Sequence, residues 1–257
     1  MAEPKPGRAY VLGLPVDLVY LEEAVAICHR TMASPDGPPR RVITLNPEMA
    51  VQAKKDPLLA ACFRGEVLVV PDGIGIVLAL RRRGYRGVAR VPGIELGERL
   101  AAEAARQGWP VFLFGGRPGI AEEAAATLCR RFSGLVVAGT AHGYLRPEEE
   151  AELVAAIAAS GARLLFVGLG VPKQEIWLRK NLTATGARIG IGGGGSFDVW
   201  AGKVPRAPLA WRRLGLEWAY RFLREPARWR RFFALPVFFW QALILAPKDR
   251  EEERREG

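Results

Sequence analysis

The chain has 257 residues, enough for one large hydrophobic core or for one domain with an additional segment. Its 49% hydrophobic and 25% charged residues are typical of a soluble globular protein, and its formal net charge of +10 favours an anionic partner such as phosphate, nucleic acid or an acidic membrane surface.

Cys28, Cys62 and Cys129 are widely spaced in apolar or helical contexts, which argues against disulfides and a cysteine metal site and predicts core thiols in a reducing cytosol. We expect no export, because the N-terminal region lacks an apolar stretch long enough for a signal peptide.

Short apolar runs alternate with helical patterns along most of the chain. The runs predict strands at 9–14, 41–45, 67–70, 110–116, 135–140, 163–167 and 187–191. Helical spacing predicts helices at 18–32, 48–54, 74–80, 95–105, 120–131 and 147–160, with another beginning near Lys173. This alternation suits right-handed crossovers and predicts an α/β fold, a doubly wound Rossmann-like, mostly parallel sheet of about six or seven strands.

An acid follows the most apolar of these strands. The stretch 66–75, EVLVVPDGIG, leads from four buried-type residues through Pro71 into Asp72 and a glycine-bearing turn. Open parallel sheets bind ligands at the carboxyl ends of their strands, so Asp72 is a candidate catalytic residue. An Asp before a helix is also a common N-cap, and the stretch alone does not decide between the two roles.

A second strand ends in polar residues. Thr44 and Asn46 close the strand at 41–45, and Asn46 precedes a proline that opens the next helix. Asn46 could be an N-cap and nothing more. If the two strands are neighbours, however, Thr44, Asn46 and Asp72 lie on one edge of the sheet.

Three later loops are also shaped by glycine and proline. Arg90 stands in a loop fixed by Pro92 and Gly93 just before a helix, and GLGVPKQEIW at 168–177 presents Gln174 at a helix start. Four consecutive glycines at 192–195 follow the last strand and suit close approach to a nucleotide. They lack the spaced GxGxxG fingerprint, so they are weak indicators by themselves.

Composition changes sharply after residue 203. Between 204 and 235 arginines and aromatic residues are interleaved, and Glu217 and Glu225 are the only acids. Such a pattern is typical of a helix in a membrane interface or of an arm over a phosphate. The apolar run at 232–246 is shorter than the roughly twenty residues that span a bilayer. We therefore predict an α/β catalytic core at 1–203, a helical, basic and aromatic appendage at 204–247 and a charged tail at 248–257.

The motifs taken together resemble the WecG/TagA/CpsF glycosyltransferase family over nearly the whole chain and in the right order. They comprise the strand-end Thr44 and Asn46, PDGIG, RVPG, GLGVPKQE, the glycine turn with FD, and RAPLAWRRLGLEWAYRFLREPARWRRF. The resemblance implies an inverting, metal-independent enzyme. It would move N-acetylmannosamine or a related sugar from UDP to undecaprenyl-diphosphate-linked N-acetylglucosamine, in wall teichoic acid or related glycan synthesis.

The resemblance also assigns roles to residues of this chain. It makes Asp72 the catalytic base, and Thr44, Asn46, Arg90 and Gln174 pocket residues. It further implies that the appendage's basic residues Arg221, Arg228 and Arg231 close over the diphosphate while the appendage docks on the cytoplasmic face of the cell membrane. No cofactor is expected, and the sequence offers neither a DxD motif nor a histidine cluster for Mg²⁺ or Mn²⁺.

Two other functions remain as alternatives at this point. The glycine turn could serve a dinucleotide in an oxidoreductase, and the basic, aromatic C-terminal region could bind nucleic acid. The oxidoreductase is disfavoured because the glycine turn follows the last strand and lacks the spaced fingerprint. A nucleic-acid-binding protein would not need a strand-end acid and several convergent polar loops, so we expect no nucleic-acid partner. The donor sugar and the acceptor sugar stay open, and the alanine-rich helix faces leave a homo-oligomer possible.

Overall fold

A computed structural model describes residues 7–213, 215, 217–224 and 234–244. The strands are β1 (Arg8–Val11), β2 (Leu14–Asp17), β3 (Arg40–Leu45), β4 (Val67–Pro71), β5 (Val111–Gly115), β6 (Val137–Ala141), β7 (Leu164–Gly168) and β8 (Ile189–Gly192). The helices of the core are α1 (Leu21–Ala33), α2 (Pro47–Ala53), α3 (Pro57–Ala61), α4 (Ile74–Arg82), α5 (Gly93–Gln107), α6 (Ile120–Arg131), α7 (Glu149–Ala159), α8 (Lys173–Asn181) and α9 (Ser196–Trp200). Beyond them come α10 (Leu209–Arg213), α11 (Glu217–Arg224), α12 (Ala234–Phe239) and a π-helical turn, Trp240–Ile244.

Six strands form one parallel sheet in the order β4-β3-β8-β7-β5-β6. The chain first builds β3 and β4 on one side, then moves to β5 and β6 on the other, and fills the centre with β7 and β8. The carboxyl ends of the central strands thus meet at the point where the winding reverses, which is where open sheets bind ligands. The predicted doubly wound Rossmann-like α/β fold is confirmed.

In β3, β4, β5 and β7, alternate side chains enter different cores on the two faces of the sheet. In β4, for example, Leu68 and Val70 pack in a cluster with α1, α5, α6 and α9, whereas Val67 and Val69 pack with α2, α3 and α4. A third cluster joins β5 and β7 to α7 and α8. Because β4 is buried along its whole length, its continuous apolar run needs no polar alternation.

The prediction of a single strand at 9–14 is wrong, because this region belongs to an antiparallel hairpin of β1 and β2. Leu12 and Gly13 form its two-residue turn, with φ values of 55° and 77°, the left-handed pair typical of tight hairpins. The hairpin covers the free edge of β4, where the Asp17 carboxylate accepts a hydrogen bond from the Val69 N–H at 2.8 Å. It thereby satisfies backbone groups that an open sheet edge would leave unpaired.

The C-terminal stretch at 234–244 packs on the core beside α2 and α4. Phe238 is fully buried there, and a Cβ added at Gly75 in α4 would lie 3.3 Å from its ring. The predicted charged tail, 248–257, lies outside the described residues, and the division after residue 203 stays a prediction.

The cysteines follow the prediction only partly. Cys28 and Cys62 are buried free thiols, and burial raises the pKa of Cys28 to about 12. Cys129, in contrast, is exposed, so its placement in the core was wrong. Its apolar neighbours belong to the inner face of α6, which the helical twist turns away from Cys129 itself.

Candidate active site

The carboxyl ends of β3 and β4 bring the first three predicted residues together. Leu45 and Pro71 are paired in the sheet register, and the N–H of Asp72 donates to the Leu45 carbonyl at 3.0 Å. Thr44, Asn46 and Asp72 therefore occupy one edge of the sheet, as expected from the order of strands and polar residues.

Asn46 is the N-cap of α2, which was one of the two roles predicted for it beside ligand binding. Its Oδ1 accepts a hydrogen bond from the Met49 N–H at 2.9 Å, and Pro47 occupies the first position of α2. Asn46 makes no other side-chain hydrogen bond within the described part of the chain, so its Nδ2 donors can face a ligand. Capping and ligand binding are compatible at this position.

Asp72, in contrast, is not the cap of its helix. The N-cap of α4 is Gly73, and half-buried Asp72 stands one residue earlier, at the end of the strand. The turn needs glycine because a Cβ at Gly73 would lie 2.5 Å from Pro47 Cδ. This close approach holds the starts of α2 and α4 side by side and fixes Asp72 beside Asn46.

The Arg90 loop joins the same edge from the far side of β4. The Val91 N–H donates to the Pro71 carbonyl at 2.8 Å, and Gly93, the first residue of α5, packs against the Thr44 side chain. Arg90 Nη2 lies 3.3 Å from Glu217 Oε2, and the two side chains are only 16% and 11% exposed. Sequence reasoning missed Glu217, although an isolated acid among so many arginines was the available signal.

Gln174 lies at the carboxyl ends of β7 and β8 and is 3% exposed. Its Oε1 accepts from the N–H groups of Gly170 at 3.1 Å and Gly194 at 3.0 Å, and its Nε2 donates to Glu175 Oε1 at 2.8 Å. Gln174 thus ties the glycine turn after β7 to the glycine turn after β8. Whether it also contacts a ligand, as the family resemblance implies, stays a prediction.

Glu175 is the most strongly perturbed acid at this edge of the sheet. Burial raises its pKa to about 7, although the hydrogen bond from Gln174 opposes the shift. Its second carboxylate oxygen is buried and has no hydrogen-bond partner among the residues that the structure describes. Ionisation of Glu175 is therefore costly, and the neutral form persists to a higher pH than it does for an exposed glutamate.

The chain that follows β8 returns to this edge along α5. Arg206 pairs with Glu95 and Glu98 in the first turns of α5, and Gly215 packs directly against Ile74, two residues after Asp72. Helix α11 includes the backbone of Arg221. Arg228 and Arg231 lie outside the described residues, so the predicted contact of these arginines with a diphosphate stays a prediction.

The described ranges contain no group of three or more histidine, cysteine or acidic side chains placed to hold a metal ion. The predicted independence from metal remains an expectation for experiment.

The fold and this site define an α/β enzyme whose polar groups converge at the carboxyl edge of a parallel sheet. The profile of the glycosyl transferase WecG/TagA/CpsF family matches residues 9–252, and the chain belongs to that family. It is a glycosyltransferase, as the motif resemblance indicated. The chain is also similar to an N-acetylglucosaminyldiphosphoundecaprenol N-acetyl-beta-D-mannosaminyltransferase of Bacillus spizizenii (strain ATCC 23059 / NRRL B-14472 / W23). The two are 35% identical over 197 residues, which cover 77% of this chain and 76% of the relative.

Proposed function

We propose that this protein transfers N-acetylmannosamine, or a closely related sugar, from its UDP donor to undecaprenyl-diphosphate-linked N-acetylglucosamine. The observation that carries the proposal is the similarity to the Bacillus spizizenii enzyme, whose name specifies both the transferred sugar and the lipid-linked acceptor. The product would be an intermediate of wall teichoic acid or a related cell-surface glycan.

The proposed mechanism is a single displacement with Asp72 as general base. A sugar hydroxyl is a poor nucleophile, so a carboxylate within hydrogen-bond reach must accept its proton during attack on C1. Attack from the face opposite UDP inverts the anomeric centre. The half-buried position of Asp72, at a strand end beside Asn46, supports this role because both side chains stand where ligands of open sheets bind.

Arginines are proposed to stabilise the departing diphosphate in place of a metal. A guanidinium is planar and permanently charged, so it matches phosphate oxygens in pairs of hydrogen bonds. Arg90 is available for this from the core, and Arg221, Arg228 and Arg231 would come from the C-terminal segment. The attachment of that segment beside Asp72, through Gly215 and Ile74, supports the proposal.

The C-terminal segment is also proposed to hold the enzyme on the inner face of the cytoplasmic membrane, where its lipid-linked acceptor is. Its described parts expose large apolar side chains: Leu209 (59%), Trp218 (42%), Val237 (39%) and Trp240 (58%). Apolar residues and tryptophans interleaved with arginines are typical of segments that lie in a membrane interface. None of the helices in the described ranges is long and apolar enough to cross a bilayer.

The test is release of UDP from a panel of UDP-sugars, with and without a short-chain prenyl-diphosphate-N-acetylglucosamine acceptor, in the presence and absence of EDTA. We expect acceptor-dependent release from UDP-N-acetylmannosamine that EDTA does not reduce. Absence of release from every donor, together with absence of UDP binding, would contradict the proposal.

A further inference from the structure

The contact between Arg90 and Glu217 joins the predicted donor site to the C-terminal segment across 127 positions of sequence. Arg90 Nη2 and Glu217 Oε2 are 3.3 Å apart, and both side chains are largely removed from solvent. A charge pair in such surroundings is poorly screened, and removal of Glu217 takes from the largely buried Arg90 guanidinium its ion pair. In the observed orientation, the Arg90 side chain points one Nη at Glu217.

The contact occupies one edge of the guanidinium. A guanidinium carries several N–H donors in a rigid fork, so an acid on one edge leaves the other edge available for a second anion. Across the described residues, Arg90 makes no further side-chain hydrogen bond. The arrangement suits a phosphate oxygen on the side of Arg90 that faces away from Glu217.

The backbones on both sides of the contact are fixed independently of it. The Arg90 loop is held by the hydrogen bond from Val91 to Pro71, and Glu217 begins α11 two residues after Gly215, which packs against Ile74. What the loop does not fix is the long Arg90 side chain itself, whose free rotation would lower the population of a phosphate-binding orientation. Glu217 supplies that constraint.

We propose that Glu217 is a positioning residue that orients Arg90 toward the diphosphate of the nucleotide-sugar donor. This inference rests on the proposed function. Docking of the C-terminal segment then completes the donor site as well as attaching the enzyme to membrane. The segment affects UDP binding even when no membrane or lipid acceptor is present.

The experiment measures the affinities of the full chain for UDP and for uridine by calorimetry or competition. We expect Glu217→Gln to weaken UDP binding by about tenfold, because Gln keeps an acceptor oxygen for Arg90 but loses the negative charge. Uridine binding should stay unchanged. Glu66→Gln is the matched control. Glu66 also pairs with an arginine, Arg40, at 3.5 Å, but the pair lies at the amino-terminal ends of β3 and β4, away from the candidate site. We expect its affinities to equal those of the wild type.

A double-mutant cycle separates orientation of Arg90 from a general effect on folding. Because Glu217 acts through Arg90, Glu217→Gln should cause no further loss of UDP affinity in an Arg90→Gln background. The double variant also removes both charges, so it stays testable if Glu217→Gln alone does not fold.

Several outcomes would overturn the inference. Unchanged UDP affinity in Glu217→Gln would do so, as would additive losses in the cycle. Tighter UDP binding would mean that Glu217 competes with the diphosphate instead of orienting Arg90. In each of these cases a wild type that binds UDP and transfers sugar leaves the proposed function intact, whereas a wild type that does neither overturns both.

Discussion

The two regions around the candidate site are assembled by different kinds of interaction. On the core side, backbone hydrogen bonds of the sheet fix the strand ends, so that Asp72 and Asn46 are placed by the register of β3 and β4. On the C-terminal side, attachment depends on side chains, namely the ion pair of Arg206 with Glu95, the packing of Gly215 against Ile74 and the burial of Phe238. The core therefore holds the proposed base whether or not the segment is docked, while the phosphate-binding groups depend on docking.

The largest effect should come from the core side of this comparison. We expect Asp72→Asn to reduce transfer by at least about 10³-fold, because the acceptor hydroxyl loses its general base. Folding and UDP binding should stay close to those of the wild type. Steady-state turnover with a short-chain acceptor, together with UDP calorimetry, measures both.

Asp56→Asn is the matched control for this variant. Asp56 caps α3, and Asn is an equally good cap, so the variant should fold and turn over normally. Near-normal turnover of Asp72→Asn would remove Asp72 from the role of base. The core would then no longer differ from the segment by holding the base.

A chain that ends at residue 203 tests the C-terminal side. The buried clusters of the core lie almost entirely before that residue, apart from Phe238 and Ala242, so we expect it to fold. Transfer should fall at least about a hundredfold, because groups that stabilise the diphosphate are lost. Circular dichroism with heating and turnover on a lipid acceptor check the two expectations.

Full activity of the shortened chain would leave the segment with a role in attachment or packing alone. Comparison of acceptors with short and long prenyl chains sharpens the test. Loss of activity with both acceptors indicates a catalytic contribution, whereas loss confined to the long, membrane-bound acceptor indicates a tether.

A smaller effect concerns Glu175 and pH. Its pKa is raised from 4.5 to about 7 in the folded protein, so the folded state binds this proton more tightly than the unfolded state does. The contribution of this shift to the free energy of unfolding is fully present below pH 4.5 and is lost as pH rises toward 7, roughly 3 kcal/mol in total.

Glu175→Gln should therefore flatten the dependence of the free energy of unfolding on pH between 4.5 and 7. Urea unfolding at a series of pH values provides the measurement. Glu22→Gln, which changes an exposed acid of α1, should keep the slope of the wild type. Equal slopes for the wild type and Glu175→Gln would show that the buried carboxyl does not titrate in this range.

The smallest expected effect separates the two roles of Asn46. Asn46→Ala should lower the free energy of unfolding by about 1 kcal/mol, because α2 loses its N-cap, and should also weaken substrate binding. Asn46→Ser can still cap the helix, so it should recover stability without recovering full activity. If Asn46→Ser were as active as the wild type, capping alone would explain the residue.

Much of the core side was predictable because its determinants are local. The run before Asp72 and the proline after Asn46 each report a strand end or a helix start within a few residues. The hairpin was missed because the turn is Leu12-Gly13, not one of the Asn-Gly or Asp-Gly pairs that announce such turns.

What could not be predicted is non-local. Arg90 and Glu217 are brought together by packing of a distant segment, which no short motif encodes. The family resemblance assigned Gln174 to the pocket, and in the structure its polar atoms form hydrogen bonds with Gly170, Gly194 and Glu175. Sequence pattern identified the loop but not the partners that the fold supplies.

The central claim is a single displacement on a lipid-linked acceptor, with Asp72 as base. The most direct measurement is NMR and mass analysis of the lipid product formed from α-linked UDP-N-acetylmannosamine in the presence of EDTA. We predict one added N-acetylhexosamine in β linkage, that is, with the anomeric centre inverted. An α-linked product, or no lipid-linked product from an enzyme that binds UDP, would contradict the account.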